Sequence, residues 1–541
     1  MNPFRLTPWH CLFTITATLV YFGIFRFGIS LAAQLIIHVA DGRNLQKHTT
    51  MKINKNILFI SIMMFSNVIE VYSHNALING MSCKVIKINE QKFASYKGFI
   101  DVPLNRDSNL SKMIKLPVLI IKSSNKLATE PVFNFNGGPG QSNISLPYNT
   151  SILENHDYVS IGYRGVDGSI KLKSKKIGKA IKGKYNKLLS DESLNNIELQ
   201  MTDYLGFLKN KGIDLRDFTI MDVIEDMEYV RKVLGYSKIN LYSFSYGTRV
   251  ALLYSYKYPE VIRRSVMVGV NPPGHFVWSP QKTEEILSLY DSIYKSQNLT
   301  NYKGSIKEAM RKAFEKMPKR WSFFNLDADK IKCTAFVMLF QKDNAVMIFD
   351  AFFKAANEND YSGLYLMQLA YDYIVPRMFT WGDFFEKGVS SDFQSNVNYR
   401  DMLRSYNTTI GPNLSLLIWG CAASWTNYSI PDEYRKTRVS QTETLLISGN
   451  LDVSTPPDYA QEELLPYLPN GRQVILKNMS HLDLGNCQHK TYSKFVSTYF
   501  DSGKVDVSAF SLDDINFKPK KRFSTLAKTL YPITFIMSLI K

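Results

Sequence analysis

Ile239-Asn240-Leu241-Tyr242-Ser243-Phe244-Ser245-Tyr246-Gly247-Thr248-Arg249, running on into Val250-Ala251-Leu252-Leu253, is the stretch on which the fold turns. It reads as a strand, a tight turn and the start of a helix. A serine at such an elbow is lifted above the strand end, and the residues two before and two after it must be small because strand and helix backbones pass close there. Ser243 and Gly247 meet that need. Just upstream, Ile220, Val223, Ile224, Met227, Val230 and Leu234 recur at helical spacing, so an amphipathic helix over 220–234 leads into the strand.

Outward from the elbow, β-rich runs alternate with helical ones. Strands are expected over 93–102, 116–122, 131–136, 158–163, 239–243, 265–270, 444–448 and 473–476. This β-α-β order implies an α/β fold with a mostly parallel eight-stranded sheet. From 272 to 438 the strand rhythm stops, and helical segments over 305–315, 349–357 and 363–373 suggest a helical cap inserted into the sheet sequence. The expected core is therefore split into 74–271 and 439–505, followed by a basic and apolar tail over 506–541.

Two later segments complete a chemical set with Ser245. Thr444-Leu445-Leu446-Ile447-Ser448-Gly449-Asn450-Leu451-Asp452 is a strand ending in an acid, and Gln473-Val474-Ile475-Leu476-Lys477-Asn478-Met479-Ser480-His481 places a histidine after the next strand. Serine, aspartate and histidine in that order match the α/β-hydrolases, and the interval between Asp452 and His481 accommodates one helix and one strand. A hydroxyl is a weak nucleophile until a base takes its proton, and that base needs a carboxylate to fix its tautomer. Singly, a loop aspartate or a surface histidine is commonplace; the ordered combination is not. The loop Phe135-Asn136-Gly137-Gly138-Pro139-Gly140-Gln141-Ser142 supplies the fourth part. Its glycines permit a turn that exposes backbone N–H groups, so the amides of Gly138 and Tyr246 are the expected oxyanion hole.

Taken together, Asn136-Gly137-Gly138-Pro139-Gly140-Gln141-Ser142, Tyr163-Arg164-Gly165-Val166-Asp167-Gly168-Ser169, the Ser245-Tyr246-Gly247-Thr248 elbow and Asp452-Val453-Ser454-Thr455-Pro456-Pro457 resemble the proline iminopeptidase and tripeptidyl aminopeptidase branch of the α/β-hydrolases. Within the insertion, 355–364 and Ile418-Trp419-Gly420-Cys421 are similar to the tripeptidyl aminopeptidase-like members. The resemblance implies catalytic roles for Ser245, Asp452 and His481, and a peptide substrate with a free amino terminus whose ammonium is held by acids of the cap. Glu358, Asp360, Asp383, Glu386 and Asp392 are the candidates there, each with a solvated helix face as its plainer reading. The chain departs from the family in having Asn136 for the first histidine of the glycine motif, Gly162 where an acid is expected, and Ala423-Ser424 where acids follow the cysteine. These departures bear on specificity. An esterase or lipase with the same triad is the rival reading, and an inactive hydrolase fold acting as a binding protein is the second.

Composition narrows the field. Of 541 residues, 45% are hydrophobic and 21% charged, which is the balance of a folded protein with a sizeable core. No His-x-x-x-His or Cys-x-x-Cys occurs among eight histidines and five cysteines, so no metal or other cofactor is expected. The net charge of +17 invites a nucleic-acid reading, but the lysine run over 171–187 has almost no interleaved aromatics, so a solvated surface is expected and no nucleic acid. Met51-Lys52-Ile53-Asn54-Lys55-Asn56 before an apolar run, with Val71-Tyr72-Ser73 as a cleavage site, reads as a signal peptide over 51–73 and implies an exported, periplasmic or secreted protein. Upstream, the apolar stretch 11–40 is interrupted by Arg26, a charge costing about 2.5–3.5 kcal/mol at mid-membrane, which leaves 1–50 as an unused upstream start or a weak anchor. At the other end, 530–540 is too short to span a bilayer; it could lie on a membrane or pack back on the body. Export would allow Cys83, Cys333, Cys421 and Cys487 to form two disulfides in any of three pairings.

Overall fold

The elbow strand lies at the middle of a nine-stranded sheet. The computed structural model describes residues 80–539 apart from 109–110, 126, 148–149, 185–186, 300–303, 426–427, 487–489, 509 and 511–513. The expected signal peptide over 51–73, the stretch 1–50 and Cys487 lie outside the described residues. Contacts divide the chain into units Met1–Met81 and Ser82–Lys541, and the described strands and helices all lie in the second.

Strands β1 Ser82–Ile88, β2 Gln91–Pro103, β3 Met113–Ile121, β4 Thr129–Phe135, β5 His156–Ile161, β6 Ile239–Phe244 and β7 Ile262–Val268 precede the insertion. A small hairpin within it pairs β8 Arg320–Trp321 with β9 Phe324–Asn325, and β10 Glu443–Gly449 and β11 Gly471–Leu476 follow it. The sheet order is β1-β2-β3-β5-β4-β6-β7-β10-β11. From β5 to β11 every neighbouring pair is parallel, whereas β1, β2 and β3 extend it by antiparallel pairing.

Eight of the nine strands match the expected positions, and the additional one is β1. It joins β2 through Asn89 and Glu90, both at positive φ, as in a two-residue hairpin turn of the primed type. Its sequence Ser-Cys-Lys-Val-Ile-Lys-Ile is mostly exposed, so it lacks the apolar density that marks an internal strand.

The helix Ile220–Val233 begins where Thr219 and Asp222 form a reciprocal capping box. Its stripe of Ile220, Val223, Ile224, Met227 and Val230 is buried. Against the strands of the second half, the helix Lys490–Ser502 packs Tyr492, Phe495, Val496, Tyr499 and Phe500 onto Val266, Val268, Leu445 and Ile447. At roughly 1.5–3 kcal/mol for each large apolar side chain removed from water, this layer holds β7 and β10 in place.

Apart from the β8–β9 hairpin, the described elements between β7 and β10 are helices, the longer ones at Pro280–Ser296, Lys342–Glu358, Ser362–Ile374 and Trp381–Asp392. The tail returns to this insertion as the helix Phe523–Leu539. Lys528 pairs with Asp360 at 2.8 Å, and the Tyr531 ring meets Trp321 and Phe324 of the hairpin. Cys83, Cys333 and Cys421 are free thiols, so the two disulfides that export would allow among four cysteines are not formed: Cys333 and Cys421 are buried, whereas Cys83 is exposed on the edge strand. In the basic run, the helix Lys175–Lys182 turns Ile177, Ala180 and Ile181 inward and leaves Lys175, Lys176 and Lys179 exposed. No described helix is long and apolar enough to cross a membrane.

Candidate active site

Loops from the C-terminal ends of β4, β6, β7, β10 and β11 supply the site, as is general for parallel sheets. Ser245 stands where β6 breaks into the helix Tyr246–Lys257, at φ 56 and ψ −125. A non-glycine residue there is strained by about 1–3 kcal/mol and needs its surroundings to hold it. The Ser245 amide donates to Val268 O at 2.9 Å, and its carbonyl accepts from the Thr248 amide at 2.8 Å and Thr248 Oγ1 at 2.6 Å. A Cβ on Gly247 would overlap the Phe135 carbonyl, and one on Gly137 would overlap the Ser245 Cβ. Small residues are therefore a steric demand of the elbow. Ser243 meets the same demand on the strand side, buried and donating to Val266 O at 3.1 Å.

His481 Nε2 lies 2.8 Å from Ser245 Oγ, and His481 Nδ1 lies 2.8 Å from Asp452 Oδ2. Asp452 is fully buried; Oδ1 accepts the Ser454 and Thr455 amides, each at 2.8 Å, and Oδ2 accepts Thr455 Oγ1 at 2.7 Å. These donors fix the carboxylate so that it in turn fixes the imidazole. Phe244 and Phe340 flank the ring at centroid distances of 4.8 and 5.3 Å. Behind it Gly269, at φ 61, leaves space where a Cβ would stand 3.1 Å from His481 Cε1. Gly269 and Phe340 were not singled out from the sequence. A glycine directly after β7 was the available signal for the first; Phe340 belongs to the insertion and only the fold brings it here.

Of the two residues expected to form the oxyanion hole, Tyr246 directly follows the serine, and Gly138 follows Gly137, where a Cβ would meet the Ser245 Cβ. Tyr246 opens the helix, so its amide belongs to the first turn, where no intrahelical carbonyl is available. Gly138, at φ 81, turns the glycine loop where a Cβ would press on Gln141 Cγ at 2.6 Å. The loop is braced from the core by Asn143, which accepts the Asn136 amide at 2.6 Å and donates to Asn134 O and Ile161 O at 2.9 and 2.7 Å. Asp167 completes the brace by accepting the Asn143 and Tyr163 amides, both at 2.9 Å. At Gly162 a Cβ would stand 2.6 Å from Asp167 Cβ and 2.7 Å from Pro117 Cγ, which accounts for the missing acid: no side chain fits there. Arg164 is buried in a two-bond pair with Asp226, each bond 2.6 Å, and ties this segment to the helix Ile220–Val233.

The family model described as alpha/beta hydrolase fold matches residues 130–485, a span that holds all three residues of the hydrogen-bonded chain. The chain belongs to that family. It has the α/β-hydrolase fold, with Ser245, His481 and Asp452 joined in one hydrogen-bonded chain. A tripeptidyl aminopeptidase of Streptomyces lividans is 25% identical over 195 residues, covering 34% of this chain and 36% of its own length. The serine protease Hip1 of Mycobacterium tuberculosis is 26% identical over 148 residues, 25% of this chain and 28% of its own. The hydrolase thus spans only about a third of the length of the curated relatives it matches. Among solved structures, a proline iminopeptidase-related protein of Thermus thermophilus is 13% identical with a TM-score of 0.32, covering 74% of this chain and 98% of that one.

The five cap acids of the hydrolase part company. Glu358 is exposed at a helix end and pairs with Lys354 at 3.0 Å, while Asp360 bonds Ser362 and pairs with Lys528 of the tail helix, so both already have partners. Asp392 is buried against Arg249 at 2.9 Å and accepts the Phe276 amide at 3.0 Å, which ties the cap to the nucleophile helix. Asp383 and Glu386 share the helix Trp381–Asp392 and are both buried. Asp383 Oδ1 takes Lys387 Nζ at 2.7 Å; burial raises its carboxyl above the usual range, against the downward pull of Lys387. Glu386 accepts Trp425 Nε1 at 3.0 Å and the Tyr428 hydroxyl at 2.7 Å, and burial pushes its carboxyl up to about 7.

Proposed function

We propose that this serine hydrolase is an aminopeptidase that releases an N-terminal residue or short peptide through an acyl-enzyme on Ser245. Ser245 Oγ attacks the scissile carbonyl carbon while His481 Nε2 takes its proton, and Asp452 steadies the imidazolium through Nδ1. The Gly138 and Tyr246 amides receive the developing oxyanion. His481 passes the proton to the leaving amine, and water then cleaves the ester by the same relay.

Glu386 carries the reading. Of Glu358, Asp360, Asp383, Glu386 and Asp392, it is the one with no ion-pair partner among the described residues; the others meet Lys354, Lys528, Lys387 and Arg249. The buried Glu386 carboxyl is hydrogen-bonded only by neutral donors and pushed up to about 7 by burial, so an ammonium brought against it, whose N–H donors need acceptors, would ionise it. The similarity to tripeptidyl aminopeptidase supports the same substrate class. The pattern over 51–73 supports export, with a mature end near His74; amino-terminal sequencing of the exported protein checks this.

The test is a panel of amino-acyl and tripeptidyl amides, with free and acetylated amino termini, beside short-chain esters. Acetylation is expected to lower kcat/KM at least roughly a hundredfold, because a buried carboxylate is then left unmatched. Glu386→Gln is expected to shrink that ratio. Equal rates on free and acetylated substrates, or a preference for simple esters, would promote the esterase reading.

A further inference from the structure

The core braces both ends of the glycine loop, but its tip is held by the cap. Gly140 accepts the Thr380 amide at 2.9 Å and donates its own amide to Asp383 Oδ2 at 3.1 Å. Gln141 Nε2 donates to Met378 O at 2.6 Å. The approach is close enough that a Cβ on Gly140 would stand 2.8 Å from Thr380 O, and one on Gly138 would stand 3.3 Å from the Phe379 ring. The carboxylate that receives Gly140 is itself immobilised: Lys387 Nζ donates to its other oxygen and also to Phe218 O, and all three partners are buried. Gly138 and Gly140 sit at φ 81 and 77, conformations that glycine permits without enforcing. An oxyanion hole works through donors already aimed before the charge develops, so a loop this free needs an external brace.

We propose that Asp383 is a positioning residue for the oxyanion hole, fixing the Gly140 amide and so the turn that aims the Gly138 amide at the tetrahedral intermediate. Its own contacts are the Gly140 amide and Lys387 Nζ, so it acts through the loop. The cap is in consequence one wall of the catalytic apparatus, and a displacement of the segment 378–383 would loosen the hole. The inference rests on the assignment of the hole to Gly138 and Tyr246.

Removing Asp383 alone would strand the Lys387 ammonium in the interior, so the pair is replaced together. Asp383→Asn/Lys387→Met keeps an acceptor for the Gly140 amide; Asp383→Leu/Lys387→Met does not. With one amide substrate, the Asn form is expected to retain kcat within about fivefold, and the Leu form to lose kcat by roughly 30- to 100-fold with KM changed less than about threefold, in the range seen when one oxyanion donor is lost. Gln141→Leu, which cuts the second tether without touching a buried charge, is expected to lower kcat about tenfold and keeps the test decisive if the Leu form does not fold. Equal kcat in the Asn and Leu forms, a change in KM alone, or an unaltered kcat in Gln141→Leu would overturn the proposal. Ser245→Ala measured alongside separates the failures: turnover surviving in that variant overturns the acyl-enzyme reading, whereas its loss beside an active Leu form overturns the role of Asp383 only.

Discussion

The sheet edge and the cap above it hold their charged groups by different means. At the edge, Ser245, Asp452 and His481 each follow the end of a strand and are one another's partners, at 2.8 Å on either side of the imidazole. Among the candidate acids of the cap, Glu358 meets Lys354, Asp383 meets Lys387 and Asp360 meets Lys528, cations supplied by the same helix or another element. Edge groups are thus left to exchange protons among themselves, while cap groups are neutralised into scaffolding. Of the five candidate acids, Glu386 is the one met only by neutral donors, Trp425 and Tyr428.

If the edge is the chemical half, it fails first and furthest. Ser245→Ala is expected to remove turnover by a factor on the order of 10⁶, and a fluorophosphonate followed by peptide mass spectrometry should mark Ser245 and no other residue. Asp452→Asn is expected to cost about 10⁴ in kcat with an unchanged circular dichroism spectrum, since the imidazole loses its orienting acceptor while Ser454 and Thr455 keep most of the loop. Near wild-type activity there would shift attention to Asp483, which instead accepts the Ser480 and Lys342 amides and is pushed up to about 6 by burial.

The comparison sharpens at the elbow. Gly247→Val places carbon atoms on the Phe135 carbonyl and is expected to cost about 3 kcal/mol or more in urea unfolding, whereas Glu358→Ala in the cap should stay within about 0.5 kcal/mol and leave kcat/KM alone.

Glu386 is the finest probe. Burial pushes its folded-state carboxyl up to about 7, above the ordinary glutamate value of 4.5, so the folded protein holds this proton more tightly than the unfolded chain does. The stability it contributes is complete below the unfolded value and is lost as pH rises through 7. Melting temperature should therefore fall by a few degrees between about pH 5 and pH 8 on this account, and Glu386→Gln should flatten that part of the profile. A profile unchanged by the substitution would remove Glu386 as the titrating group.

Much of this is legible in the chain itself, and unevenly so. Ser245, Asp452 and His481 each follow an apolar run that reads as a strand, and Gly247 and Gly137 are small because neighbouring backbones leave no room. Those are local facts, carried by residues adjacent in the chain. The edge strand Ser82–Ile88 escaped because only Ile86 and Ile88 turn toward the core and the rest is exposed, which leaves too short an apolar pattern. Among the cap acids, Glu358 and Asp360 could not be told from Asp383 and Glu386, since all lie on or beside helical segments of similar composition.

The sequence by itself determined eight strands of the sheet, the elbow, and the placing of Ser245, Asp452, His481 and the glycine loop after strand ends, because strand ends and tight turns impose their requirements within a few residues. Only the tertiary structure decided which cap acid meets which lysine, that Asn143 and Asp167 brace the glycine loop, and that Asp383 reaches Gly140 across 243 positions of chain. An insertion has no shared register with the sheet it covers. Its contacts are set by how helices pack in space, and that packing leaves no periodic mark at the residues that meet.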